Sequence, residues 1–288
     1  VIELLSSIKK IFLFSSILWS VAFPVFAQDS AFLDLQKRLQ SDGFDTAMID
    51  RLYRRPETQF DDRSVSLFFM HTEARLNYDQ FLSSDSIQKA SRYMKVHEQA
   101  LQAAETSQGV DKEVITAIIL VETRLGTYLG NSSVLNTLSS MAALSDLRIR
   151  QQLWERLPAD RRIEESRFRE KAAQKSKWAY VELKALLTYA SQEDMDPSTI
   201  QGSYAGALGI SQFMPSNILA YAKDGSQDGK IDLFDHADAI MSVASYLKQF
   251  GWKKGIDSSG AQAVVYKYNH SNYYVQTVLK VAERLKGS

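Results

Sequence analysis

From Ser84 onward, apolar residues return every three or four positions. Ile87, Ala90, Met94, Leu101 and Ala104 make one stripe, and Gly109 ends it. Ser84 or Asp85 is the expected N-cap of that helix. Before it, residues 30–40 and 45–54 carry two shorter helical patterns split by Ser41-Asp42-Gly43. After it, Asp111 caps a helix that is apolar around most of its circumference, and Gly126 is expected to close it. A further helix runs from about Trp178 to Ser191, with a turn from Pro197. The last presents Val275, Val278, Leu279, Ala282 and Leu285 to a core. Sustained period-two alternation is absent, and so is an Asn-Gly hairpin signal. The pattern predicts a mainly α fold.

One residue breaks the apolar helix. In AIILVETRLGTYLG (117–130), Glu122 falls on the wheel between Ile115 and Ile118, while Glu113, Thr116 and Thr123 mark the polar edge. No Lys or Arg lies three or four residues away to pair with it. A lone carboxylate on such a face must be hydrogen-bonded, partly wet, or more easily protonated than usual.

Composition narrows the setting. With 288 residues, 45% hydrophobic and 24% charged, the chain can bury a large core. Its 34 basic and 34 acidic residues cancel, which argues against a general nucleic-acid binder. The absence of cysteine excludes a disulfide, a thiolate metal site, a cysteine nucleophile and a lipidated cysteine within this sequence. Lys9 and Lys10 precede an uncharged run, 11–27, that ends FPVFAQDS with small residues at Val25 and Ala27. That is the pattern of a cleavable secretory signal spanning 1–27, with an uncleaved anchor as the competing reading. The expected location is the periplasm, without a lipid anchor. Residues 148–177 hold ten Lys or Arg against five Asp or Glu. They read as a solvated, charged helical excursion, or as a basic flap for an anionic polymer.

Three segments carry chemistry. GSYAGALGISQFMPSN (202–217) sets glycines among neutral donors and acceptors, which suits an uncharged hydroxylated ligand or a close helix contact. DGSQDGKIDLFD (224–235) places oxygens in EF-hand order: Asp224, Ser226, Asp228, the Lys230 carbonyl, Asp232 and Asp235, with Gly229 at the turn. Such hard ligands favour Ca2+, although Asp235 is shorter than the usual bidentate Glu. VYKYNHSNYYVQTV (265–278) clusters Tyr266, Tyr268, Tyr273 and Tyr274 around Asn269 and His270, as a sugar platform or as core-to-surface residues. The four histidines, His71, His97, His236 and His270, look scattered.

Taken in order, VETRLG, GSYAGALGISQFMPS, the calcium-type loop, DAIMSVASYLKQFGW and YNHSNYY resemble the lytic murein transglycosylase B family from about residue 76 onward. The resemblance implies a lysozyme-like catalytic domain over 109–288, a helical N-terminal region over 28–108, and the EF-hand-like loop at 224–235. It implies cleavage of peptidoglycan glycan strands between N-acetylmuramic acid and N-acetylglucosamine, leaving a 1,6-anhydro end. The family's catalytic acid falls on Glu122, the serine that holds it on Ser203, and substrate-side positions on Gln212, Tyr246, Tyr268 and Asn269. Members with a long stretch between the GW and YN motifs build an extra subdomain there; this chain has only residues 253–267. Cell-wall synthesis or turnover proteins are the expected protein partners, and a monomer is the expected state.

A glycosidase with two carboxylates uses one as acid and the other as nucleophile or base. The motifs here offer one, and a transglycosylase can manage with it because the sugar's own C6 hydroxyl attacks. An apolar surround favours a protonated Glu122 by raising its pKa. A lysozyme-type hydrolase and a non-catalytic wall-binding protein stay open as alternatives.

Overall fold

The computed structural model describes residues 30–70, 77–157, 162 and 164–287. The signal-like segment and His71 lie outside the described residues. The N-terminal part contributes α1 (Leu33–Ser41), α2 (Thr46–Tyr53), α3 (Asp62–Met70), α4 (Ser84–Val96) and α5 (Glu98–Gln108). The Glu122 helix is α6 (Lys112–Thr123), followed by α7 (Val134–Ala143), α8 (Leu147–Arg156) and the 28-residue α9 (Glu165–Gln192). The chain closes with α10 (Pro215–Tyr221), α11 (His236–Gln249), α12 (Ser258–Tyr268) and α13 (Asn272–Lys286). Two two-residue strands, β1 (Ser132–Ser133) and β2 (Gln201–Gly202), pair antiparallel.

Two helices organise the packing. α6 is enclosed by α4, α5, α11 and α13, while α7 lies against α9 with α1 and α3 on its other sides. Val114, Ile115, Thr116, Ile118, Ile119, Val121 and Thr123 are β-branched, so α6 is not helical by propensity, which disfavours such residues by up to about 0.7 kcal/mol each. Burial decides instead. Ile115, Ile118 and Ile119 are wholly buried, and each such side chain contributes about 1.5–3 kcal/mol. Buried side chains from Phe32 to Leu285 form one continuous core, which crosses position 108 without a gap.

Several local expectations are corrected. Thr116 and Thr123 are not a polar edge: both are fully buried, with hydroxyls bonded to carbonyls of their own helix. The N-cap of α4 is Ser83, whose hydroxyl accepts from the Ser86 N–H, rather than Ser84 or Asp85. The single helix expected through Gly109 is broken at His97, which ends α4 and starts α5. Asp111 holds the N-cap position of α6, but its carboxylate accepts from Trp252 Nε1 at 3.2 Å and pairs with Lys286. Gly126 does not close α6. Arg124 and Leu125 take the left-handed turn themselves, at φ 50° and 63°. The 178–191 helix is the second half of α9.

Among its described residues, the charged stretch 148–177 packs onto the body rather than forming a free basic flap. Arg150 is buried and donates to the Leu144 carbonyl, Arg148 and Arg156 pair with Asp146 and Asp62, and Phe168, Ala172 and Ser176 are buried. The stretch 253–267 consists of a short loop and most of α12.

Candidate active site

Glu122 sits on the last turn of α6, and the chain leaves it through two non-glycine residues in the left-handed region, a conformation costing roughly 1–2 kcal/mol each. The turn is held from several sides. Leu125 N–H donates to Ile119 O at 3.2 Å, and Gly126 N–H donates to Thr123 Oγ1 at 3.0 Å. The single proton of the Thr123 hydroxyl faces both Ile119 O at 3.2 Å and Ile210 O at 2.9 Å. The second contact ties the acid-bearing helix to the glycine-rich segment 202–213.

That segment is a tight double turn. Leu208 and Phe213 exchange backbone bonds, Ser203 N–H donates to Ala207 O, and Ile210 N–H donates to Leu233 O. Gly209, at φ 74°, lies so close to Leu233 that an added Cβ would stand 2.6 Å from its carbonyl oxygen. The glycines therefore serve close packing. Ser203 Oγ accepts from the N–H groups of Ala205 and Ala207, which leaves its own proton to donate. Gln212, at φ 50°, donates from Nε2 to Leu129 O and Gly209 O.

Glu122, Ser203, Gln212, Tyr268 and Asn269 line one cavity of about 530 Å³. Glu122 is the only carboxylate among the described residues lining it. Behind the acid stand two phenols, Tyr268 half-buried in the wall and Tyr274 buried. Tyr268 donates to Ser211 O at 2.6 Å, and Tyr274 lies parallel to it with ring centroids 6.4 Å apart. Burial first, and then the charge of Glu122, raises both phenols well above the usual tyrosine range. The Tyr274 hydroxyl also senses Glu122 as a hydrogen-bond acceptor, through a contact outside ordinary hydrogen-bond geometry.

Tyr246 is not among the lining residues. It is buried, donates to Lys267 O at 2.7 Å, and packs at 5.0 Å against Tyr268, so it stands behind the wall. Burial pushes its hydroxyl up to about 12. Tyr266, Tyr273 and His270 are exposed and outside the cavity. Sequence reasoning named Tyr274 within its tyrosine cluster, as a sugar platform or a core-to-surface residue, without relating it to Glu122. It also missed Tyr128, Tyr204, Met214 and Arg124, and the wall formed by Asn77, Tyr78, Gln80 and Phe81. Arg124 ties that wall to α6 by donating to Gln80 Oε1. No periodicity or motif marks residues 77–81, because they form a short 3-10 turn.

A hollow of similar size lies between α1 and α8, but its charges neutralise one another: Lys37 with Asp34, Arg148 with Asp146, Arg156 with Asp62. The histidines are less scattered than the sequence suggests. His97 and His236 stack with centroids 4.4 Å apart, and the Tyr93 hydroxyl and His236 Nδ1 lie 2.9 Å apart.

The loop 224–235 does connect two helices, but its acids are spent on backbone groups. Asp224 accepts from the N–H groups of Gln227 and Gly229, and the latter foremost holds it below the usual carboxylate range. Asp228 accepts from Lys230 N–H, Asp232 from Phe234 N–H, and Asp235 caps α11. Buried Asp238 organises the loop by accepting from Gly225, Ser226 and Asp232. The expected ligands Asp224, Ser226, Asp228, Lys230 and Asp235 thus form a self-bonded turn rather than a gathered cage. Among the described residues, the one group of three acids drawn together is Glu105, Asp111 and Glu113, at the far end of α6.

Fold and cleft together define a helical protein that presents one acid to a cleft lined by aromatic, hydroxyl and amide groups. The model of the transglycosylase SLT domain family matches residues 27–262, and the chain belongs to that family. The membrane-bound lytic murein transglycosylase B of Escherichia coli is 36% identical over 176 residues, which cover 61% of this chain and 41% of that protein. The chain thus aligns with less than half the length of this curated relative. A solved muramidase/transglycosylase of 36 kDa superposes with TM-score 0.71 at 25% identity, covering 91% of this chain and 94% of the other. The E. coli lytic transglycosylase SLT35 in complex with calcium gives TM-score 0.71 at 24% identity over the same shares. The mainly helical, lysozyme-like fold expected from the sequence is therefore shared with lytic transglycosylases.

Proposed function

We propose that this protein is a peptidoglycan lytic transglycosylase with Glu122 as its single catalytic acid and base. The observation that carries this reading is the cavity in which Glu122 is the sole carboxylate among the described lining residues, surrounded by hydroxyls, amides and aromatic rings. A two-carboxylate hydrolase finds no partner acid in that lining. Glu122 gives its proton to the glycosidic oxygen between N-acetylmuramic acid and N-acetylglucosamine as the bond breaks. The muramic C6 hydroxyl then attacks C1, Glu122 takes that proton back, and a 1,6-anhydro ring closes. Ser203 positions the acid or the sugar through its remaining proton, Gln212 and Asn269 offer amide groups to the strand, and Tyr268 supports them. Tyr246 acts only through Tyr268.

The test is mass spectrometry of sacculi digested by the protein. Anhydromuropeptides are expected; reducing-end products would replace this reading with a hydrolase. Glu122→Gln should lower release by about 10²–10⁴-fold with an unchanged or slightly raised melting temperature. Ser203→Ala should give a milder loss. Near wild-type release by Glu122→Gln would remove the catalytic assignment.

Residues 28–108 supply a helical companion region to the core at 109–288. Export by the 1–27 segment, with the mature chain starting at Gln28 in the periplasm, fits the basic, apolar and small-residue order of that segment. N-terminal sequencing of the exported protein checks this. No helix among the described residues is long and apolar enough to cross a membrane. Calcium is a structural ion of the 224–235 loop in this reading, and Asp224, Asp228 and Asp235 would turn from their present backbone partners to hold it with Ser226 and the Lys230 carbonyl. Support comes from the order of oxygens in the loop, since a likeness at 24% identity speaks for fold alone.

A further inference from the structure

Resting on the reading of the cleft as a glycan site, we propose that Tyr128 is a sugar-stacking platform at the cavity rim, a binding station for strand residues beyond the bond being cut. Its side chain is 69% exposed, yet it lines the same cavity as Glu122. The three tyrosines form a gradient: Tyr274 is buried behind the acid, Tyr268 is half-buried in the wall, and Tyr128 stands open at the edge.

The loop that presents this ring is fixed at both ends. Tyr128 N–H donates to Thr123 O at 2.9 Å, and the Thr127 hydroxyl donates to Arg124 O at 2.8 Å. Leu129 O accepts from Gln212, and Gly130 presses on the backbone of Gly202 so closely that a Cβ there would stand 2.1 Å from Gly202 O. A large aromatic held on a braced loop but left in water contributes little to packing. Its apolar face and two-torsion side chain suit the C–H face of a pyranose at small entropic cost. Exposure alone would not single it out, since Tyr273 is 71% exposed on α13; Tyr273, however, lies outside the cavity.

The same loop also borders a second hollow. Three residues after Tyr128, within about 10 Å of chain, Asn131 opens onto this hollow of about 420 Å³, shared with Ser132, Ser133, Asn136, Asp61 and Ser64.

Kinetics on peptide-free glycan strands test the platform. Tyr128→Ala should raise KM about two- to tenfold with kcat held within twofold, while Tyr128→Phe and Tyr128→Trp keep the wild-type KM. Tyr273→Ala should behave as wild type. On the shortest oligosaccharide the wild type cleaves, Tyr128→Ala should be silent. An unchanged KM on long strands, an equal loss on the shortest substrate, or a loss seen only with peptide-bearing sacculi would each overturn the assignment. Calorimetric titration of peptide-free strands into Glu122→Gln, with and without Tyr128→Ala, needs no turnover. If the wild type releases no product, the catalytic reading fails while this arm still decides Tyr128: a weaker affinity supports the platform, and equal affinities overturn it.

Discussion

The hydroxyl of Thr123 lies 2.9 Å from the carbonyl oxygen of Ile210, and that bond joins the end of the acid-bearing helix to the glycine-rich turn 87 residues away in sequence. Thr123 Oγ1 in turn accepts from Gly126 N–H, so one side chain holds both the exit of α6 and the glycine-rich turn. Thr123→Val preserves shape but removes the donor and the acceptor, leaving buried backbone groups unpaired. A loss of about 1–3 kcal/mol in stability is expected. Because the displaced group neighbours Glu122, kcat should fall by roughly tenfold or more while KM changes less. Urea unfolding and product release, measured together, check both.

Tyr274→Phe should separate electrostatics from packing. The hydroxyl is buried without an ordinary hydrogen bond, so removing it should leave stability unchanged or raise it. Glu122, however, loses the phenol that faces it, and kcat should fall several-fold at constant KM. An activity profile across pH, set beside a thermal melt, reads the two effects separately. Equal profiles for the two proteins would show that the phenol only fills space.

His97 and His236 predict an acid-sensitive fold. Burial, foremost in both, lowers their pKa values below 6.5, and for His97 the neighbouring His236 lowers it further; Asp235 opposes this in each case. A histidine depressed in the folded state takes its proton first in the unfolded chain. Its contribution is whole above about pH 6.5 and is lost as pH falls through that value toward the folded pKa. The urea midpoint should therefore drop between pH 7 and pH 5. His97→Gln and His236→Asn should each flatten that slope, whatever they do to stability at pH 7.5.

How far such features can be read from the chain depends on what causes them. The burial of α6, the short helices near the N-terminus and the final helix follow from spacing alone, since a stripe of apolar side chains needs a core. The break at His97 does not, because no glycine or proline marks it; the ring that stacks there comes from His236, 139 positions on. The left-handed exit at Arg124 and Leu125 is equally silent, because tertiary bonds impose it on residues with no preference for it. Within the cleft, Glu122 stands out as a polar misfit in an apolar helix. Tyr246 misleads because a tyrosine behind a wall looks, in sequence, like one within it. Tyr274 is hidden by its plain helical spacing in α13.

Calcium should raise the melting temperature, and chelator should lower it, if the 224–235 loop binds the ion in the native state only. Asp224→Ala should abolish the difference, because this residue anchors the turn through Gln227 and Gly229. Glu113→Gln, in the acid group at the other end of α6, should leave the difference intact. Three identical melts would make the loop a turn held by its own N–H groups. A response lost with Glu113→Gln would move the ion to that other group.

The link between α11 and α12 carries a practical consequence. Gly251 and Gly255 both take positive φ angles, and an added Cβ at either would meet nothing within 4 Å. The backbone there is exposed, while Trp252 between them is buried against the N-terminal end of α6. Residues 253–255 thus form an open seam with a fixed edge, the sort of surface position where a foreign module can be spliced without disturbing the body beneath. A fluorescent domain inserted there would ride on the protein as a passenger, at the end of α6 opposite Glu122.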